Sequence, residues 1–134
     1  MASSSDKTGS CLCGGVTYRV TGKLREVIAC HCSQCAKTTG SLMMATACKP
    51  SNLLLEKQET LRWYRSSDQA ERGFCSQCGG NLFWKPAHGR HISITAGTLD
   101  APTGLHLVEQ WHVADKSDYY EAIPGIPYGE DATG

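Results

Sequence analysis

Apolar and polar residues alternate along much of this chain with a period of two, the pattern of strands with one buried face. Val16-Thr17-Tyr18-Arg19-Val20 alternates cleanly and predicts a strand ended by Thr21-Gly22. Val27-Ile28-Ala29 predicts a short strand. Leu42 to Cys48 is an apolar run of strand length, closed by the turn signal Lys49-Pro50-Ser51-Asn52. Further strands are expected at Leu53–Leu55 and Thr60–Arg65, split by the charged Glu56–Glu59, and at Arg72–Phe74, Asn81–Lys85 and Ile92–Thr95. Leu105 to Val113 is rich in β-formers but breaks alternation, which predicts a bulge. Ser33 to Thr39 reads as one short helical turn, with Ser33 as its N-cap and Gly40 as its stop. Pro124, Gly125, Pro127 and Gly129 exclude regular structure near the end.

This pattern predicts a mainly β fold of short strands with little helix. The chain has 134 residues, the length of a single domain. Residues 1–9 are polar and Ser-rich and read as a flexible N-terminal tail; the folded domain spans 10–128, and 129–134 form a C-terminal tail. The 13 basic and 13 acidic residues balance, which argues against a nucleic-acid partner. There is no signal-peptide pattern and no apolar run long enough to cross a membrane, so a cytoplasmic setting is expected. In a reducing compartment, clustered cysteines point to metal binding or catalysis rather than to disulfides.

Seven of the eight cysteines fall in three groups: Cys11 and Cys13; Cys30, Cys32 and Cys35; Cys75 and Cys78. The two outer pairs are each followed at once by two glycines, Gly14-Gly15 and Gly79-Gly80, which let the backbone turn tightly and bring N–H groups towards sulfur. Two such knuckles facing each other make a closed tetrathiolate site, as a structural zinc requires. The central triple has no glycine knuckle. Three thiolates with one position left describe an open zinc site, and a helix starting near Ser33 would aim backbone N–H groups at these sulfurs. A zinc held by three thiolates suits thiol chemistry better than water activation. Cys48 is the alternative: thirteen residues beyond Cys35, it either closes the second site or packs as a small hydrophobe. Strand alternation turns His31 away from its neighbours Cys30 and Cys32, towards a pocket rim or solvent. His88, His91, His106 and His112 have no metal spacing, and Trp63, Trp84 and Trp111 are expected in the core.

The motifs Cys-Leu-Cys-Gly-Gly-Val, Cys-His-Cys-Ser-Gln-Cys, Phe-Cys-Ser-Gln-Cys-Gly-Gly and Ala96-Gly97-Thr98-Leu99-Asp100 resemble the glutathione-dependent formaldehyde-activating enzyme family, whose domain is shared with centromere protein V. The resemblance runs from about Ser10 to about Pro127. It implies a zinc-stabilised fold of the β-tent type, a structural zinc on Cys11, Cys13, Cys75 and Cys78, and a second zinc on Cys30, Cys32 and Cys35. It also implies carbon–sulfur lyase activity on a glutathione-type thiol adduct such as S-hydroxymethylglutathione, with glutathione as co-substrate. A pocket for glutathione needs basic groups for its carboxylates. His31, Lys37 and Arg72 are the substrate-binding candidates, with Arg90 a further one; Arg72 could equally serve a structural salt bridge beside the Cys75 knuckle. The alternative function is a non-catalytic zinc-stabilised module that binds a protein or a small thiol, which closure of the second site by Cys48 would favour.

Overall fold

The computed structural model describes residues 6–129. Ten strands are defined: β1 Lys7–Ser10, β2 Thr17–Val20, β3 Val27–Cys30, β4 Met43–Cys48, β5 Leu53–Lys57, β6 Leu61–Ser67, β7 Ala70–Cys75, β8 Asn81–Pro86, β9 Ile92–Thr95 and β10 Leu107–Trp111. The single α-helix among the described residues, α1, spans Ser33–Thr39. The fold is therefore mainly β, as the alternation predicts. Among the described residues no helix is long and apolar enough to cross a membrane.

Strands β1, β2 and β5 form a three-stranded sheet, and the other seven form a second sheet in the order β10-β3-β4-β9-β8-β7-β6. All pairs are antiparallel except β10 against β3, where the expected irregularity appears as a register shift between Leu107 and Glu109. Register divides the large sheet into two faces, because directly opposed residues share a face. Cys48 opposes Ile92, and Thr46 opposes Ile94. Cys48, Ile92 and Ile94 pack with Val16, Tyr18, Val20, Leu61 and Leu82 in the main core, to which both sheets contribute. On the other face Arg72 opposes Trp84, Trp84 opposes Ser93, and Met43 opposes Cys30. That face lines a cavity.

The expected tail at 1–9 is corrected at its inner end. Lys7, Thr8 and Gly9 belong to β1, while residues 1–5 lie outside the described residues. The strand is held by backbone pairing with β2, by Asp100 N–H to Thr8 O at 2.9 Å, and by the Thr8 hydroxyl on Asp100 at 2.7 Å. Such bonds need no apolar side chain and leave no hydrophobic pattern to read. Gly129, placed in the C-terminal tail, likewise donates its N–H to the Gln110 carbonyl at 2.8 Å, and residues 130–134 lie outside the described residues.

Gly9 opposes the fully buried Tyr18, and a β-carbon there would run into the Tyr18 ring and hydroxyl and the Thr98 carbonyl. Gly9→Ala is expected to destabilise the domain by about 1–3 kcal/mol through overpacking. A lowered midpoint of urea unfolding checks this; an unchanged midpoint would mean that β1 is dispensable.

Candidate metal centres

The outer knuckles meet as their glycines require. Gly14 and Gly79 take nearly the same left-handed conformation, φ 78° and 76°. Gly14 N–H reaches back to Cys11 O, and Gly79 N–H to Cys75 O. The turns aim backbone donors at sulfur: Gly15 N–H on Cys13 Sγ at 3.4 Å, Val16 N–H on Cys11 Sγ at 3.3 Å and Gln77 N–H on Cys75 Sγ at 3.4 Å. Cys11 and Cys13 sulfurs lie 3.8 Å apart, and Cys13 and Cys75 sulfurs 3.6 Å apart. Four sulfurs around zinc at about 2.3 Å have tetrahedral edges of about 3.8 Å, so the donors present fit that ion. The Thr60 hydroxyl, then Cys78 N–H, pull the Cys75 thiol down to about 6, towards the thiolate that a metal needs.

The central triple forms a second cluster. The ligand atoms of Cys30, Cys32 and Cys35 all lie within 4.8 Å of one another, and no fourth Cys, His, Asp or Glu among the described residues joins them. Cys30 ends β3, and α1 supplies Cys35. The N-cap of α1 is Cys32, not Ser33: its sulfur accepts from Cys35 N–H at 3.4 Å, while Gly40 closes the helix as expected. Side-chain hydrogen bonds from Cys30 and then Cys35 pull Cys32 down to about 2, with help from Cys35 N–H and the Arg72 charge. The same bonds, to Cys32 and Cys35, together with burial push Cys30 far up. Soft sulfur donors in this number suit zinc.

Cys48 does not join the triple. It lies five residues beyond Met43 on β4 and faces the main core, where burial pushes its thiol up to about 11. Met43 faces the cysteine triple instead.

All three cysteines of the triple line a cavity of about 400 Å³. Arg72 stands beside them rather than beside the Cys75 knuckle, because residues three apart on a strand face opposite ways. It is only 6 % exposed, and its guanidinium lies 4.0 Å from Cys35 Sγ, 3.4 Å from Gln34 Oε1 and 3.8 Å from Met43 Sδ. Among the described residues no carboxylate forms an ion pair with it, and its buried Nε has no partner. The salt-bridge alternative is thus not what the structure contains. A buried cation without a carboxylate calls for another anion nearby, and thiolates meet that need.

His31 is corrected more fully. Its ring does turn away from the sulfurs, but it is 1 % exposed and sits on neither rim nor surface. Lys37 and Arg90 are exposed and outside the cavity lining. Trp63 packs against the main core as expected, but Trp84 and Trp111 line the cavity. So does Arg25, which the alternation does not single out. Arg25 lies 5.6 Å from the Trp111 ring centre, donates to Ala45 O at 3.2 Å, and has its pKa drawn down by burial against the opposing pull of Glu109. Only the sheet order, which brings β10, β3, β4, β9, β8 and β7 side by side, gathers these residues on one wall.

If both cysteine clusters hold metal, Cys32→Ser is expected to leave one tightly bound ion per chain in place of two. Cys48→Ala should keep both ions and lose about 1–2 kcal/mol of stability through the cavity it leaves. Metal analysis by atomic emission, beside unfolding curves, checks both. Loss of an ion in Cys48→Ala would return Cys48 to the site.

Three comparisons bear on this arrangement. The family model described as glutathione-dependent formaldehyde-activating enzyme matches residues 6–115. An uncharacterized lyase of Schizosaccharomyces pombe is 30% identical over 116 residues, covering 84% of this chain and 82% of its own. A Rhodobacter sphaeroides protein of known crystal structure superposes with a TM-score of 0.62 over 91% of this chain and 99% of its own, at 19% identity, a likeness of fold alone.

Proposed function

The chain belongs to the glutathione-dependent formaldehyde-activating enzyme family, and on that premise we propose that it is a zinc-dependent carbon–sulfur lyase. It makes and breaks the bond between a glutathione-type thiol and a carbonyl carbon, as in S-hydroxymethylglutathione. The observation that carries this reading is the triple Cys30, Cys32 and Cys35 on the wall of a cavity, with a buried arginine behind it. The lyase name of the fission-yeast relative supports the same class.

In this reading Cys11, Cys13, Cys75 and Cys78 hold a structural zinc, and Cys30, Cys32 and Cys35 hold a second. Zinc bound there supplies positive charge that lowers the proton affinity of a thiol entering the cavity. The chain does the rest. Arg72 offsets negative charge on the crowded sulfurs at close range. It keeps the incoming sulfur a good nucleophile in the addition direction and a good leaving group in the reverse. The reaction balances as thiolate plus aldehyde plus a proton giving the hydroxyalkyl thioether. The proton must reach the carbonyl oxygen as charge develops there. Ser33, next to Cys32 and on the cavity lining, is placed to donate to that oxygen. Arg25 meets a carboxylate of the tripeptide, and Trp84 and Trp111 cover its apolar stem. The absence of Cys48 from the cluster removes the feature that favoured a purely structural second site.

Cys32→Ser should abolish turnover of S-hydroxymethylglutathione while unfolding stays cooperative. Equal turnover in variant and parent would refute the assignment of the active site. Arg25→Gln is expected to raise KM for that adduct about 10- to 100-fold, the worth of one charge-assisted hydrogen bond, with little change in kcat. Its KM for the formaldehyde adduct of 2-mercaptoethanol, which has no carboxylate, should stay at the parent value. Steady-state assays with both adducts separate the two; an equal rise for both would deny Arg25 the carboxylate.

A further inference from the structure

His31 lies between two cysteines of the second cluster, and its ring is tied into a buried knot on the far side from the cavity. Gln110 Oε1 accepts the N–H of Ile123 at 2.8 Å, so that atom is an acceptor. His31 Nε2, 3.0 Å from the same oxygen, must therefore carry the proton. Nδ1 of the neutral ring is then the acceptor for the Tyr120 hydroxyl, 2.7 Å away, with the two rings stacked at 5.5 Å. The backbone N–H of His31 donates to Trp111 O at 3.0 Å. Gln110 is fully buried and anchors the chain end in turn. Its Nε2 donates to the carbonyls of Ile123 and Ile126, both at 2.9 Å, and its backbone pairs with Pro127 and Gly129.

Tyr120 and the Ile123–Gly129 stretch lie beyond residue 115, where the family match ends. We propose that this C-terminal segment is a positioning element for the second metal site. Through Tyr120 and Gln110 it fixes both ring nitrogens of His31, and with the backbone N–H held by Trp111 O this restricts how residue 31 can turn. The backbone on either side then presents Cys30 and Cys32 at a set separation. The inference rests on the reading of Cys30, Cys32 and Cys35 as a zinc site. Partners that orient a ligand segment without touching the metal change affinity by about 10- to 100-fold when removed.

The test is chelator competition on the zinc-loaded full chain, with alkylation and mass spectrometry to report which cysteines become free. Tyr120→Phe removes one hydroxyl and keeps the ring on His31. It should release zinc from Cys30, Cys32 and Cys35 at about 10- to 100-fold lower chelator concentration, while Cys11, Cys13, Cys75 and Cys78 behave as in the parent. Parent-like release from both sites, or equal weakening of both, overturns the proposal. A second measurement needs no variant. Coupling is reciprocal, so amide exchange at Ile123 and Gly129 in the parent chain should quicken once chelator has emptied the second site. Unchanged exchange overturns the proposal as well. A parent chain that takes up a single zinc would overturn the site reading itself, and this inference with it.

Discussion

Cys13 and Cys75 are 62 residues apart in the chain, yet their sulfurs stand 3.6 Å apart. The rest of the structure hangs on this closure. Cys11 and Cys13 sit between β1 and β2 of the small sheet, and Cys75 and Cys78 between β7 and β8 of the large one. Bringing them together joins the two sheets beside the main core, against which Cys11, Cys75 and Cys78 pack. Such a closure costs chain entropy. Local features bear on that cost: the two glycine turns are shaped alike, and each aims N–H groups at sulfurs of its own knuckle, contacts that do not need the other half.

Once the sheets are set, register decides which side chains meet chemistry and which meet oil. Arg72, Trp84 and Ser93 form a row across three strands facing the cavity, while Ile94 and Cys48 face the core. A slip of one residue on any of these strands would exchange the two faces. The large sheet thus serves as the floor of the hydrophobic core and the wall of the cavity at once, which is why its strands mix polar and apolar residues on their outer face.

Legibility in the sequence followed distance along the chain. The cysteine groups, their glycine turns and the alternating strands are local patterns, and most strands stand where the pattern put them. β1 escaped because Lys7-Thr8-Gly9-Ser10 is held by backbone and hydroxyl bonds. The N-cap moved from Ser33 to Cys32 because a thiol, like a hydroxyl, can accept from the N–H three residues on. Arg25, Trp84 and Trp111 were missed as a group because only the sheet order from β10 through β3, β4 and β9 to β8 brings them to one cavity. His31 was placed on the right side of its strand but in the wrong surroundings. What covers that side is a glutamine and a tyrosine 79 and 89 residues away, and nothing local announces them.

The three thiols come from a strand end and the first turn of α1, whereas the cavity wall is assembled from several separate strands. The thiols and most of the wall around them are therefore written on different parts of the chain, with Arg72 of β7 reaching the sulfurs from the wall. On the proposed function, exchanging Ser93, which lines the cavity from β9, for a larger residue would reshape the space offered to a carbonyl compound while leaving the three thiols in the chain as they are. A gene lineage carrying this architecture could, on the same reading, change substrates by small steps on the wall, without rebuilding the cysteine centre.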